Sequence, residues 1–126
     1  MRHSDLVEVK ISIGKGRGVF ALAPIKKGQT IEHVPVVIIP ADSLVNGLYN
    51  PTLGRYYYYW GRNKIAVALG YGSIYNHSFS ANATYSYGRA SIIYIATRNI
   101  KKGEEILINY NWDKSDRADV GFKVVE

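Results

Sequence analysis

Cysteine is absent from all 126 residues, so the chain can build no disulfide framework, no thiolate zinc site and no cysteine nucleophile. Its stability has to come from packing. Long hydrophobic runs are missing as well: none approaches the ~20 residues of a membrane span, and the opening MRHSDLVEVK lacks the apolar core of a secretion signal. A soluble intracellular protein without a membrane partner is the expectation. Acidic residues are few, 10 against 16 Lys and Arg, which leaves a net charge of +6 and permits attraction to nucleic acid or another anionic surface. Residues 1–63 carry 8 basic and 4 acidic groups and residues 64–126 carry 8 and 6, so the excess charge belongs to the folded surface and not to a detached arm.

Hydrophobic residues at 47% and charged residues at 21% describe a globular chain of single-domain length. Tyrosine is over-represented, with 11 copies beside 3 Phe and 2 Trp, and each ring carries a hydroxyl that must reach water or a partner. Many rings therefore line a surface, a groove or an internal polar network.

The apolar pattern is that of short strands punctuated by glycine. Val7, Val9, Ile11 and Ile13 alternate with Glu8, Lys10 and Ser12, the period of a strand with one buried face, and the run stops at Gly14. VFALAPI and TIEHVPVVIIP read as further extended pieces separated by the turn signal KKGQ. YYYYWGRNKIAVALG reads as a hairpin around Gly61-Arg62-Asn63, with Tyr57 and Tyr59 on one face and Tyr56, Tyr58 and Trp60 on the other. Residues 83–87 and 90–96 form another pair around Gly88-Arg89, and KKGEEILINY repeats a charged turn followed by a strand. The two KKG turns share too little in their flanks to establish an internal repeat. No long amphipathic helix is present; residues 42–48 fit a short helical turn that Gly47 and Asn50-Pro51 end. The fold class is mainly β with few short helices. The tail 113–126 returns to apolar residues at Val120, Phe122, Val124 and Val125, which suggests that it packs back on the body.

Three polar segments are candidates for chemistry. Gly16 and Gly18 bracket Arg17 before a hydrophobic strand, where backbone amides can approach an anionic group. No third glycine stands in the required place and no helix follows, so a dinucleotide loop is excluded, and a plain turn competes with a ligand loop. Asn76, His77 and Ser78 follow the irregular stretch GYGSIY. Zinc is poorly supported, because His3 and His33 have no ligand-like spacing with His77, and adjacent His77 and Ser78 do not make a hydrolytic triad. A turn held by side-chain hydrogen bonds is the plainer reading. Asn109, Tyr110, Asn111 and Trp112 follow the apolar run 106–108 and put a hydroxyl near a sheet edge.

Taken in order, KGRGVFALAPIKKGQTI, YNHSFSANA and IKKGEEILINY resemble the SET-domain family of protein lysine methyltransferases over residues 6–112. Two positions depart from the family pattern: Ala81 stands where a proline is usual, and Asn109 where an aspartate commonly precedes the tyrosine. The resemblance implies short antiparallel sheets in a knot-like C-terminal arrangement, one SET domain over 1–126, and S-adenosyl-L-methionine as cofactor, with no metal. It assigns Gly16, Arg17, Gly18, Asn76 and His77 to the cofactor, and Tyr110 to catalysis beside a channel that favours the neutral lysine amine. Trp112 would frame that channel and Phe122, in a tail closing the cofactor site, would cover the adenine. Tyr85 and Ile108 would limit the room for a methylated amine and so favour monomethylation. The partner is then a lysine-containing protein, chromatin-like or ribosomal, in the cytoplasm or on the nucleoid or chromatin. The alternative is a basic, tyrosine-rich nucleic-acid or nucleoprotein-binding module without catalysis, its rings at 56–60 serving as stacking surfaces.

Overall fold

The computed structural model describes residues 4–40, 42 and 57–110. Their elements are β1 (Val7–Ser12), β2 (Gly16–Ala21), β3 (Thr30–Pro40), β4 (Tyr57–Tyr59), β5 (Lys64–Ala68), β6 (Asn76–His77), β7 (Ala83–Tyr87), β8 (Ser91–Ala96) and β9 (Glu105–Ile108). One sheet runs β1-β2-β9-β6 and the other β4-β5-β3-β8-β7. The expected hairpins form: β1 with β2, β4 with β5, and β7 with β8, all antiparallel.

Three expectations need correction. The few short helices are not found, since no helix forms among the described residues; β-branched and aromatic runs interrupted by glycine leave none of them with an apolar stripe of helical period. The 42–48 turn lies outside the described residues apart from Asp42. The sheets are also not wholly antiparallel, because β6 lies parallel to β9, pairing Asn76 with Leu107 and His77 with Ile108. Finally, the alternating face of β1 is buried only at its start: Val7 is 2% exposed, but Ile11 is 83% and Ile13 95% exposed. The reason is the reach of the neighbouring strand. β9 pairs with β2 only at Val19 and Phe20, so the far half of the β1–β2 hairpin extends past its sheet neighbour with no core above it.

The two KKG turns prove to be equivalent, related by an offset of 75 residues (Ile25 to Ile100, 100 − 25). Ile25 and Ile100 form an antiparallel bridge, with reciprocal bonds of 2.9 Å from Ile25 N to Ile100 O and 2.8 Å from Ile100 N to Ile25 O. Gly28 N donates to Ala96 O at 2.8 Å, and its counterpart Gly103 N donates to Ala21 O at 2.7 Å. Lys26 N is capped by Gln29 Oε1 and Lys101 N by Glu104 Oε1, both at 3.0 Å. The third residue of each turn is a glycine in the left-handed region, at φ 86° for Gly28 and 84° for Gly103, which a side-chain-bearing residue adopts only at a cost. Around this local twofold the following strands are exchanged: β3, which follows β2, pairs with β8, while β9, which follows β8, pairs with β2. Ile25, Ile31, Ile92, Ile100 and Ile106, all 2% exposed or less, fill the core where the halves interlock.

Candidate active site

The parallel β6–β9 pair is only two residues long, too short to hold its register by ladder bonds alone. Buried Asn82 reinforces it. Its Nδ2 donates to Glu105 O at 2.8 Å, its Oδ1 accepts from Leu107 N at 2.8 Å, and its backbone N donates to Leu107 O at 3.2 Å. Ser78 N donates to Ile108 O, and the Ser78 hydroxyl accepts from Ser80 N at 2.9 Å, so this serine shapes a turn and is no nucleophile.

The glycine-bracketed Arg17 is drawn to the same place. Asn76 Nδ2 donates to Arg17 O and to Glu105 Oε2, each at 2.8 Å, while the other carboxylate oxygen of Glu105 accepts from the Ser12 hydroxyl at 2.8 Å. Both amide hydrogens of Asn76 are thus committed internally. Gly18 is required by this crowding: a Cβ there would press on the Glu105 carboxylate and stand 2.9 Å from Asn76 Nδ2. Gly16 answers a different need, since its φ of 77° lies in the left-handed region while the space around it is open.

Tyr110 closes the group. Its backbone N donates to His77 Nδ1 at 2.9 Å, which leaves the proton of a neutral imidazole on Nε2. Its hydroxyl donates to the Tyr75 carbonyl at 2.6 Å, and its carbonyl lies 3.4 Å from the Tyr85 hydroxyl. The buried His77 ring packs edge-on to Phe79 (4.6 Å) and tilted against Tyr110 (5.1 Å).

Behind Tyr110 stands a network that sequence reasoning missed. Glu32, 3% exposed, accepts the Tyr75 hydroxyl at 2.7 Å on one oxygen and the Tyr71 N–H at 3.1 Å on the other. A register shift between Thr30 and Glu32, where β3 meets β8, turns both Ile31 and Glu32 inward, which strict alternation forbids. Gly70 makes room, because a Cβ at that site would lie 2.7 Å from Glu32 Oε2. The Tyr75 ring stacks on Tyr94 (4.4 Å), whose hydroxyl meets those of Tyr58 at 2.9 Å and the Gly72 carbonyl at 3.1 Å. Burial pushes the Tyr58, Tyr75 and Tyr94 hydroxyls well above the ordinary phenol range, with Glu32 adding to the rise at Tyr75. They are neutral donors at physiological pH.

The fold therefore gathers Gly16, Arg17, Gly18, Asn76, His77 and Tyr110, with Tyr85 half-buried beside them and raised in pKa by that burial. Ile108 is fully buried in the core, opposite His77. Trp112, Phe122 and the 113–126 tail, and with them the knot-like threading, lie outside the described residues. The tyrosine cluster is internal in part: Tyr58 packs edge-on to Tyr85 (5.4 Å) and Trp60 stacks on Tyr87 (4.3 Å), leaving Tyr59 67% exposed. This removes most of the stacking surface that the nucleic-acid module required.

Similarity to known proteins agrees with this geometry. The SET domain pattern matches residues 16–111. A Schizosaccharomyces pombe histone-lysine N-methyltransferase, H3 lysine-37 specific, is 35% identical over 82% of this chain and 72% of its own length. The Danio rerio N-lysine methyltransferase KMT5A-A is 32% identical over 84% of this chain, which spans only 35% of that protein. The crystal structure of Plasmodium falciparum PFL0690c, provisionally described as a histone methyltransferase, superposes with a TM-score of 0.70 at 34% identity, over 83% of this chain and 96% of that one. At 23% identity and a TM-score of 0.69, a chain of an apo ctPRC2 complex with mutations in Ezh2 shares the fold, over 86% of this chain and 15% of its own. The chain belongs to the SET-domain family, and its 126 residues contain no cysteine.

Proposed function

We propose that the cluster around Tyr110 is where this chain carries out the activity its family and relatives support, the S-adenosyl-L-methionine-dependent methylation of protein lysines. The observation that carries the reading is the meeting of Asn76, His77 and Tyr110 against Gly16-Arg17-Gly18, three separate stretches of chain brought together by β6–β9 pairing.

The donor set suits the amino-acid end of the cofactor. Arg17 offers a cation for its carboxylate, and Asn76, both of whose amide hydrogens are engaged, keeps an oxygen acceptor for its ammonium. When bound, the cofactor supplies an electrophilic methyl on a sulfonium. Tyr110, anchored at its N–H by His77 and at its hydroxyl by the Tyr75 carbonyl, lines the channel and orients the neutral amine for in-line attack. The incoming ammonium would give its proton to water before transfer, and the amine nitrogen held by Tyr110 would then take the methyl as its bond to sulfur breaks, with S-adenosylhomocysteine as the leaving group.

Tyr85 belongs to the channel wall, restricting later additions so that monomethyl-lysine dominates. The substrate class is a chromatin protein with an accessible lysine, in keeping with the histone specificity named for the fission-yeast relative, and the site of action is chromatin. Incubation with labelled S-adenosyl-L-methionine and a panel of histones and other lysine-containing proteins is expected to yield methyl-lysine and S-adenosylhomocysteine in equal amounts. Intact cofactor binding with no transfer to any of them would remove the enzyme reading.

A further inference from the structure

The paired KKG turns are not used by the site just described. Lys26, Lys27, Lys101 and Lys102 are all exposed, and the antiparallel Ile25–Ile100 bridge joins the two turns in one strip, the first running from it towards Ala96 and the second towards Ala21. Across an antiparallel register Lys26 stands opposite Asn99, so Lys101 is its diagonal neighbour, about 7–8 Å away between Cα atoms. The Lys27 backbone is tied to the same strip, its N–H donating to Asn99 Oδ1 at 2.9 Å. The nearest carboxylate within the turns, Glu104, is occupied by Arg98 at 2.8 Å and by the Lys101 N–H. Each turn also has its own side-chain cap and its own left-handed glycine, so four ammonium groups rise from a rigid, twofold-related base.

We infer that this lysine dyad is a docking surface for the phosphate backbone of duplex nucleic acid, distinct from the Tyr110 cluster. The chemistry favours phosphate over an acidic protein. The exposed residues interleaved with the lysines, Gly28, Gln29, Asn99 and Gly103, are polar or lack a side chain, and the exposed apolar residues beside the first turn, Leu22 and Pro24, are too few to make the apolar centre that sustains a protein interface. Counterion release from a polyphosphate needs only charge. Lysine, a flexible point charge without a bidentate fork, suits contacts that ignore sequence. The surface deepens the chromatin reading, since it holds the duplex of a nucleoprotein while the lysine channel takes the protein.

The test is fluorescence anisotropy of the full chain with a labelled 20-base-pair duplex at a series of salt concentrations. Four phosphate contacts predict a slope of log K against log salt near −3.6, equivalent to about a 150-fold loss of affinity between 50 and 200 mM. Substituting Lys27→Ala with Lys102→Ala should reduce that slope by about 1.8, whereas Arg62→Ala with Arg89→Ala, an equal charge loss elsewhere, should leave it nearly unchanged. Methylation of a free lysine peptide should be unaffected by the lysine pair, so this inference and the enzyme reading fail separately. Equal losses from both double variants would reduce the effect to net charge and overturn the inference. Polyglutamate binding as tightly as the duplex at the same salt would overturn the choice of partner.

Discussion

Tyr110 is held at both ends, by His77 at its amide and by the Tyr75 carbonyl at its hydroxyl, and Glu32 in turn holds Tyr75. Glu32→Gln keeps the shape but weakens a charge-assisted bond, for an expected loss of about 2 kcal/mol in stability. If Tyr75 is the link, the same change lowers kcat about tenfold with the cofactor Kd nearly constant, and has no further effect on kcat in a Tyr110→Phe background. A full additional loss in that background would assign Glu32 a purely structural part. At Tyr85, loss of the hydroxyl in Tyr85→Phe should raise the second methyl addition relative to the first, read by single-turnover mass spectrometry on unmodified and monomethylated peptide. The meeting of Asn76, His77 and Tyr110 was legible through the family resemblance of the segments that carry them. Glu32 was not: it shares the parity of buried Val34, but a lone carboxylate in an apolar strand carries no signal of its partners, Tyr71 and Tyr75, which come from 39 and 43 residues further along the chain.

Among elements, the two KKG turns offer an internal control. Gly28 and Gly103 both have positive φ and open space where a Cβ would sit, so alanine at either tests backbone conformation alone. Each substitution should cost about 1–2 kcal/mol, and the two costs should agree closely because the hydrogen-bonding surroundings are the same. Chemical denaturation with an unchanged m-value checks both points; a marked inequality would mean that the twofold is only superficial. The local signals, hairpins at Gly61-Arg62-Asn63 and Gly88-Arg89, were legible since turn chemistry and strand period are neighbours in sequence. The equivalence of the turns was not, because it rests on backbone bonds between residues 25 and 100 and not on shared flanking side chains. The exposure of Ile11 and Ile13 escaped for a similar reason: where a hairpin outruns its neighbour is decided by another strand's length.

In the whole molecule, the exchange of β3 and β9 between halves means that neither half can bury its own core alone. Unfolding should be a single transition seen alike by far-ultraviolet circular dichroism and by tyrosine fluorescence. Its pH dependence follows from the buried phenols. Tyr75 and Tyr94, each 1% exposed or less, have hydroxyl pKa values raised by burial, so their stabilisation is complete below the ordinary value near 10 and is lost as pH rises towards the folded values. Together they should make stability fall as pH rises above 10, with Tyr58 acting in the same direction. The central claim, that the interlocked fold exists to present Tyr110 to a lysine amine beside the cofactor, is tested most directly by comparing native and Tyr110→Phe protein in single-turnover methyl transfer, with cofactor affinity measured by calorimetry on both. The account predicts a rate lower by about 10²–10³ at nearly equal cofactor affinity, with stability reduced only by the roughly 1 kcal/mol of the hydrogen bond to the Tyr75 carbonyl; an unchanged rate would contradict it.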